Sequence, residues 1–508
     1  MANEVGTAAN LEDLFGKIVS FLTTSPALVA ANQDWEVLRV RRDNVAVTTN
    51  NLFEPSTATH RKTFHTFRYD NRSINTSSPT ASLDSHFYSS GFVAGTSFVQ
   101  WQLKVAKEVK SVRLRCPRTT TSTYVNSMIR NFRLQWSDDG SSWTTALTVN
   151  SSPVYSVGEE KIWPVSGTPG AHAYWRIVID SVPSGSAVGW DRMLLLTDSG
   201  EVANHFGSEV ILRAPGNSGS ESIYVGIRSE YDEGAGWHNL FLNGYTGFDP
   251  NEESWFDQPG ALPGFGQSYT YAVPMVPCWN AAMPYWFVAS GRSFRFGVKV
   301  STNYEGGYLG FILPYATPGQ YPYPLAVGGS LVPQETLRSA EWRYSYANWR
   351  HGVYPGPGAP SDPTSENRWA TLYLRNPDGE WGYFANRPNS SNPAPEQVQS
   401  PDVSLSAPYT PTSGSGWRAV WPHCVNDLWS GGCRPYRECL GGGYILQPCI
   451  MLQRGPYVAV FGELEGTYAI SGYQNAAENT TTWNGKTVVV FQNAYRNTVH
   501  EFWALSLD

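Results

Sequence analysis

The 508-residue sequence predicts a mainly-β, multi-domain protein of packed β-sandwiches with a short N-terminal helical segment. Three observations carry this. First, charged residues make up only 16% while aromatics reach 14%, and there are 47 Gly and 35 Pro. An average soluble protein is about 25% charged. A chain short of charge and rich in aromatics, Gly and Pro reads as many short strands joined by turns. Second, apolar residues alternate with period two in stretch after stretch. Third, the length exceeds what one core can fill. The composition divides the chain into 1–60, 61–200, 201–340 and 341–508. Low surface charge also fits a subunit covered by partners, because interface cores are depleted in charge and enriched in Tyr and Trp.

The first segment carries the helix. In NLEDLFGKIVSFL, Leu11, Leu14, Phe15, Ile18 and Leu22 fall on one helical face. Asn10 is placed to cap it, Glu12 and Asp13 suit the first turn, and Thr23–Pro26 end it. Such a stripe must be buried, either on its own domain, the reading favoured here, or on a neighbouring subunit. The start MANEVGTAANLEDLFG has neither the basic nor the apolar region of a secretory signal, so synthesis and folding in a cytosol are expected. No apolar run approaches the roughly 20 residues needed to span a bilayer, so membrane insertion is not expected.

The second segment is β throughout. Val99, Trp101, Leu103 and Val105 point one way and Gln100, Gln102 and Lys104 the other; Val109, Val112, Leu114 and Cys116 continue the apolar face. In Phe132–Thr145, FRLQWSDDGSSWTT, Phe132, Leu134 and Trp136 alternate with Arg133 and Gln135. Then Asp139-Gly140 supplies a hairpin turn in which Gly140 takes positive φ, and Trp143 is expected to land back on the core. Asp138 and Asp139 read as turn formers first and ion or ligand contacts second.

The SDDG-x-x-W string, the later Tyr174-Trp175-Arg176-Ile177 strand and the Phe98–Val105 strand resemble the discoidin, or galactose-binding-like, jelly-roll family. The resemblance implies a β-sandwich that often binds glycans, lipids or proteins. Secreted members commonly close with a disulfide. This segment holds only Cys116, which points to a reducing compartment.

In the third segment Phe294, Phe296, Val298 and Val300 share one face, with Arg295 and Lys299 on the other; the prolines of YEGGYLGFILPY and QYPYPLAVGG suit loops or edge strands. In the fourth, Trp369–Leu374 and Glu380–Phe384 flank an Asn376-Pro377-Asp378-Gly379 hairpin. Residues 387–416 form a Pro/Ser-rich arm that alone would be disordered, and YVAVFGEL, GTYAISG, KTVVVFQ and FWALSLD read as strands. Cys424, Cys433, Cys439 and Cys449 cluster near His423, but their gaps are wider than those of structural zinc sites, so no metal is expected; spacing leaves a disulfide open. The stretches NLEDLFGKIVSFLTT with ANQDWEVLR, NLFLNGYTGF through YPYPL, and KTVVVFQNAYRNTVHEFWALSLD resemble virion proteins of tailed bacteriophages. That resemblance implies a structural component of a tail tip or baseplate, assembled in the host bacterial cytoplasm. It also implies contacts with other virion proteins, with symmetric copies of itself and with host-surface glycan.

Little catalytic chemistry is legible. The sequence lacks nucleophile-elbow, zincin, P-loop and dinucleotide motifs, so no enzyme activity and no cofactor are expected. A net charge of −7 without a basic block gives nucleic acid no footprint. The one patch that looks like a binding site is Glu230–Asp257, where carboxylates lie beside tryptophans as in a glycosidase or glycan contact. Trp237, Trp255 and Asp257 are its candidate contact residues. The same composition also makes an ordinary polar loop with buried Trp anchors. The leading expectation is a tail or baseplate component, and the alternative is a glycan-binding adhesin or receptor-binding module, ahead of a capsid or collar decoration or a glycoside hydrolase.

Overall fold

The computed structural model describes residues 1–50, 87–89, 92–116, 125–184, 187–190, 192–232, 237–262, 274–329, 372–384, 417–421, 443–454, 459–492 and 502–508. Strands are their dominant regular structure, as expected. They fall into two compact units: Arg41–Ser208, and Met1–Val40 together with the described residues from Glu209 onward. The first unit reaches beyond the 61–200 boundary drawn from composition, because Val45–Asn50 is the edge strand of its larger sheet. The second joins what composition separates at residues 340 and 341.

That second unit is built on an antiparallel seven-stranded sheet. Its order is Ala2–Ala8, Met283–Ala289, Ser293–Val300, Asn303–Phe311, Leu325–Gly328, Leu372–Arg375 and Trp381–Phe384. Both faces of this sheet are apolar. On one, Phe21 of the Leu11–Thr24 helix packs on Phe287 and Phe294 with ring centroids 5.6 and 6.3 Å apart. On the other, Trp286 meets Phe491 edge-on at 4.9 Å. Phe491 belongs to a third sheet, which contains Gln447–Arg454, Ala459–Ile470, Phe502–Ser506 and Lys486–Gln492. One core therefore runs from Trp286, Tyr308 and Leu372 to Cys449, Phe461, Phe491 and Trp503.

A further five-stranded sheet orders Met275–Cys278, Trp237–Tyr245, Ile223–Asp232, Glu209–Ala214 and Glu36–Arg41. Gly307 shows how closely it packs on the seven-stranded sheet: an added Cβ would lie 2.5 Å from the Phe296 ring and 2.9 Å from Leu242.

The helix forms as its sequence dictates. Asn10 Oδ1 accepts the Asp13 N–H at 2.9 Å, and Leu11, Leu14, Phe15, Ile18, Phe21 and Leu22 are buried on its own unit. Pro26 then opens a second short helix, Pro26–Ala30. The hairpin at residues 376–379 closes with Gly379 at φ +88°, and the Asn376 N–H donates to the Glu380 carbonyl at 2.8 Å. The alternation in RSFRFGVKV holds, but its polar side is partly sealed: Arg295 is fully buried and paired with Glu465 at 3.4 Å, while Lys299 is half-buried. Cys116, Cys278 and Cys449 are buried. Cys424, Cys433, Cys439, His423 and the arm 387–416 lie outside the described residues.

The Arg41–Ser208 unit is a β-sandwich. A five-stranded antiparallel sheet runs in the order Val45–Asn50, Phe98–Lys107, His172–Ser181, Asn131–Ser137, Thr144–Val149. A three-stranded sheet of Arg192–Leu196, Ser111–Arg115 and Glu160–Pro164 faces it. The inner faces supply Val99, Trp101, Leu103, Phe132, Leu134, Trp175, Ile177, Val112, Leu114, Met193 and Leu195, all buried. Phe132 and Trp163 join the sheets edge to face at 6.3 Å. Val105 departs from the expected inward set: it is 61% exposed, where the strand runs past the core. The unit's two ends are tied together. Asn44 N–H donates to the His205 carbonyl at 2.9 Å, Asp43 N–H to Ser208 Oγ at 3.0 Å, and Gly207 N–H to Asp43 Oδ1 at 3.0 Å.

Candidate functional site

The Ser137–Trp143 segment is a turn. Gly140 has φ +73°, a conformation glycine adopts without strain. Ser137 Oγ accepts the Gly140 N–H at 2.9 Å, and Asp139 Oδ1 accepts those of Ser141 and Ser142 at 2.8 and 2.7 Å. These donors, Ser142 first, hold the Asp139 carboxyl well below the usual carboxylate range. Asp139 is thereby spent on the turn. Asp138 points instead to His172 Nδ1 at 2.7 Å, and His172 Nε2 lies 2.7 Å from the Pro169 carbonyl. The His172 ring stacks on Trp136 with centroids 3.6 Å apart and 8° between planes, so Trp136 is half-buried and not a core residue.

Trp143 does not return to the core. It is half-buried, and the Arg176 guanidinium carbon lies 4.0 Å from its ring centroid. The physical reason is register. Regular pairing with Asn131–Ser137 begins at Thr144, opposite Trp136, and an irregularity between Leu134 and Gln135 breaks simple alternation.

Arg176 is the centre of a polar grid on the outer face of the five-stranded sheet. Antiparallel pairing places Gln135, Arg176 and Gln100 in one row across three strands, with Ser137, Tyr174 and Gln102 in the row on one side and Arg133, Val178 and Phe98 in the row on the other. Arg176 Nε donates to Gln135 Oε1 at 2.8 Å, and Gln135 Nε2 donates to Thr145 Oγ1 at 3.0 Å. The Phe98 ring lies on the guanidinium at 5.3 Å. Burial, and then the neighbouring Arg133, pull the Arg176 pKa below its ordinary value; an arginine still stays charged. Arg133 is itself neutralised: it donates to Asp180 from Nε at 3.1 and 3.2 Å and from Nη2 at 2.8 Å, a bond that raises its pKa. Among the described residues no carboxylate faces Arg176, its terminal nitrogens make no hydrogen bond, and the amides of Gln100 and Gln102 make none either. All four side chains of Gln100, Gln102, Tyr174 and Arg176 are partly exposed, and Thr145 is exposed.

The structure does not gather Trp237, Trp255 and Asp257 into a comparable site. Trp255 is fully buried, edge-on to Tyr245 at 6.3 Å and to Phe256 at 4.9 Å, while the Tyr245 hydroxyl donates to its carbonyl at 2.7 Å. A ring so enclosed offers no contact surface. Trp237 opens the Trp237–Tyr245 strand and Tyr245 closes it, so the backbone positions flanking the two tryptophans are separated by roughly 27 Å of strand. Asp257 is exposed on the loop beyond, and its neighbour Gln258 is buried, bracing that loop through the Glu252 carbonyl at 2.8 Å. Of the other residues in that patch, Glu230 is fully buried and His238 stacks on Tyr231 at 5.8 Å.

The sequence did carry one signal for the Arg176 grid. Gln100, Gln102, Arg133 and Gln135 occupy the non-apolar positions of their strands. It did not reveal that both strands flank Tyr174–Ile177.

No family model and no curated protein sequence matches the chain. Among solved structures it is similar to a family 32 carbohydrate-binding module from a family 31 glycoside hydrolase of Clostridium perfringens. That likeness has 12% identity, covers 30% of this chain and 95% of that one, and has a TM-score of 0.21. A family 32 module from C. perfringens in complex with galactose gives 10% identity, 29% and 90% coverage and a TM-score of 0.20. An F5/8 type C domain from Bacteroides fragilis gives 11%, 30% and 94%, and 0.22.

Proposed function

We propose that the chain is a non-catalytic recognition protein whose Arg41–Ser208 sandwich binds a glycan on its outer face. The observation that carries this is the row Thr145–Gln135–Arg176–Gln100, bordered by the rings of Trp143 and Phe98. Three inter-strand steps make that row about 14 Å long, room for a short oligosaccharide. Sugars present arrays of hydroxyls that match amide and guanidinium groups, and C–H faces that pack on aromatic rings. Thr145, Arg176 and Gln100 of the row are exposed or partly exposed above the buried Gln135, the row sits on strands rather than on loops, and among the described residues the Gln100 amide and the terminal guanidinium nitrogens have no protein partner. A glycan array probed with the full chain is expected to give defined hits that Trp143→Ala and Gln100→Ala weaken. A flat array, with calorimetry flat as well, would end the reading.

A second reading is a structural component of a phage tail tip or baseplate, present in symmetric copies and contacting other tail proteins. Its support is the sequence resemblance of both ends and the middle of the chain. In that setting the glycan face would meet the host surface. Mass spectrometry of purified virions that lacked this chain would dispose of it.

A further inference from the structure

We infer that the ligand of the Arg176 face is an acidic saccharide, with a carboxylate seated on the two terminal nitrogens of Arg176. This rests on the glycan reading and narrows it. Four features of the grid carry it.

The guanidinium is already oriented. Its Nε is bound to Gln135 at 2.8 Å, and Trp143 and Phe98 lie on it at 4.0 and 5.3 Å. A fork held in place loses little further freedom when it bonds a planar, two-oxygen acceptor. The local charge is unbalanced. Asp180 is committed to Arg133 through both its oxygens, which leaves Arg176 as the uncompensated cation of the grid. The arginine is half-buried before any ligand arrives. A neutral sugar laid across it would remove the rest of its water and leave a buried charge unpaired, which is costly; a carboxylate there completes a charge-assisted, bidentate pair. Last, Gln100 stands beside Arg176 in the same row with an unbonded amide, suited to a neighbouring hydroxyl.

The contrast elsewhere in the molecule supports the same conclusion. The fully buried Arg228 and Arg295 each have a carboxylate of this chain, at 2.7 and 3.4 Å. Arg176 is a mid-strand arginine that no carboxylate among the described residues faces.

The test is calorimetry on the full chain with an oligogalacturonate and its methyl ester, which share one backbone and differ in charge. The acid is expected to bind about tenfold or more tighter than the ester, as one charge-assisted pair implies, and to weaken as salt rises. Arg176→Gln should abolish the difference, and Arg176→Lys should restore part of it, which also controls for folding. Equal affinity for acid and ester, or a preference that survives Arg176→Gln, would overturn the inference while leaving a glycan-binding protein. Tighter binding of a sulfated oligosaccharide than of the uronate would replace carboxylate with sulfate ester and overturn the stated ligand. Tight binding of poly-glutamate would overturn the saccharide itself. If no glycan of any kind binds, both readings fall together.

Discussion

Arg228 and Arg176 sit at similar places in their units, each mid-strand in an antiparallel sheet with strands on both sides. Their surroundings are opposite. Arg228 is sealed in, with Glu209 at 2.7 Å, and Glu209 also meets Arg39 at 3.4 Å. Arg176 lies between two aromatic rings with half its surface covered and no carboxylate in reach among the described residues. An arginine inside a sheet thus does one of two jobs. Where the chain supplies the counter-charge and no water enters, it fixes the packing of layers. Where the chain holds the cation still and no carboxylate among the described residues reaches it, as at Arg176, it suits the binding role proposed above. The deciding variable is the partner, not the residue or its strand.

The comparison can be broken first at its buried side. Glu209→Ala strands Arg228 without its carboxylate, and about 3–5 kcal/mol of stability should be lost, read from the urea midpoint. A loss below about 1 kcal/mol would mean that water reaches the pair and the contrast is false. The tryptophans make the same point with an uncharged group. Trp255→Ala empties a fully buried site and should cost about 3–5 kcal/mol without touching glycan affinity in the molecules that remain folded. Trp143→Ala should cost about 1 kcal/mol, since its ring braces a partly exposed cation, yet it should weaken binding. If the two losses were equal, Trp143 would be a core residue after all. Arg176→Gln should change stability by no more than about 1 kcal/mol, so that any binding defect is separable from misfolding by comparing melting temperatures.

The smallest expected effect concerns the turn beneath Trp143. Asp139 is depressed by hydrogen bonds to the Ser142, Ser141 and Ser137 groups, so it stabilises the turn fully above the unfolded carboxylate pKa of about 3.9. That stability is lost as pH falls below this value towards the lower folded one. The protection of the Ser141 and Ser142 amides, taken relative to their intrinsic exchange rates at each pH, should therefore fall in strong acid and stay flat between about pH 5 and pH 7. A loss of protection already at about pH 5 would show that the carboxylate is not held by the turn.

Much of this was legible beforehand, and the misses have physical causes. Period-two alternation identified strands because a strand buried on one face must alternate. It also separated Gln100, Gln102, Arg133 and Gln135 from the core residues between them. It failed at Trp143, since alternation says nothing about a residue between a turn and the first paired position. The Glu230–Asp257 patch came from composition, which fits both a contact patch and an ordinary polar loop with buried Trp anchors; a nine-residue strand carries its ends far apart, and Trp255 is fully buried. Nor could composition see that the middle and last segments share a core, because Trp286 and Phe491 meet only through pairing of distant strands.

The ties between Asp43, Asn44 and residues 205–208 have a consequence for how the chain finds its fold. The Ala2–Ala8 strand pairs with Met283–Ala289, so the larger unit must close a loop that contains the whole sandwich. Closing loops costs chain entropy that rises with the logarithm of their length, about 0.6 kcal/mol per doubling. Once the sandwich has folded, its two ends are hydrogen-bonded neighbours, and the rest of the chain meets it as little more than a tight turn. The effective loop is then less than half as long. An inserted sandwich that closes its own ends thus shortens the loop the first strand has to close to reach its partner.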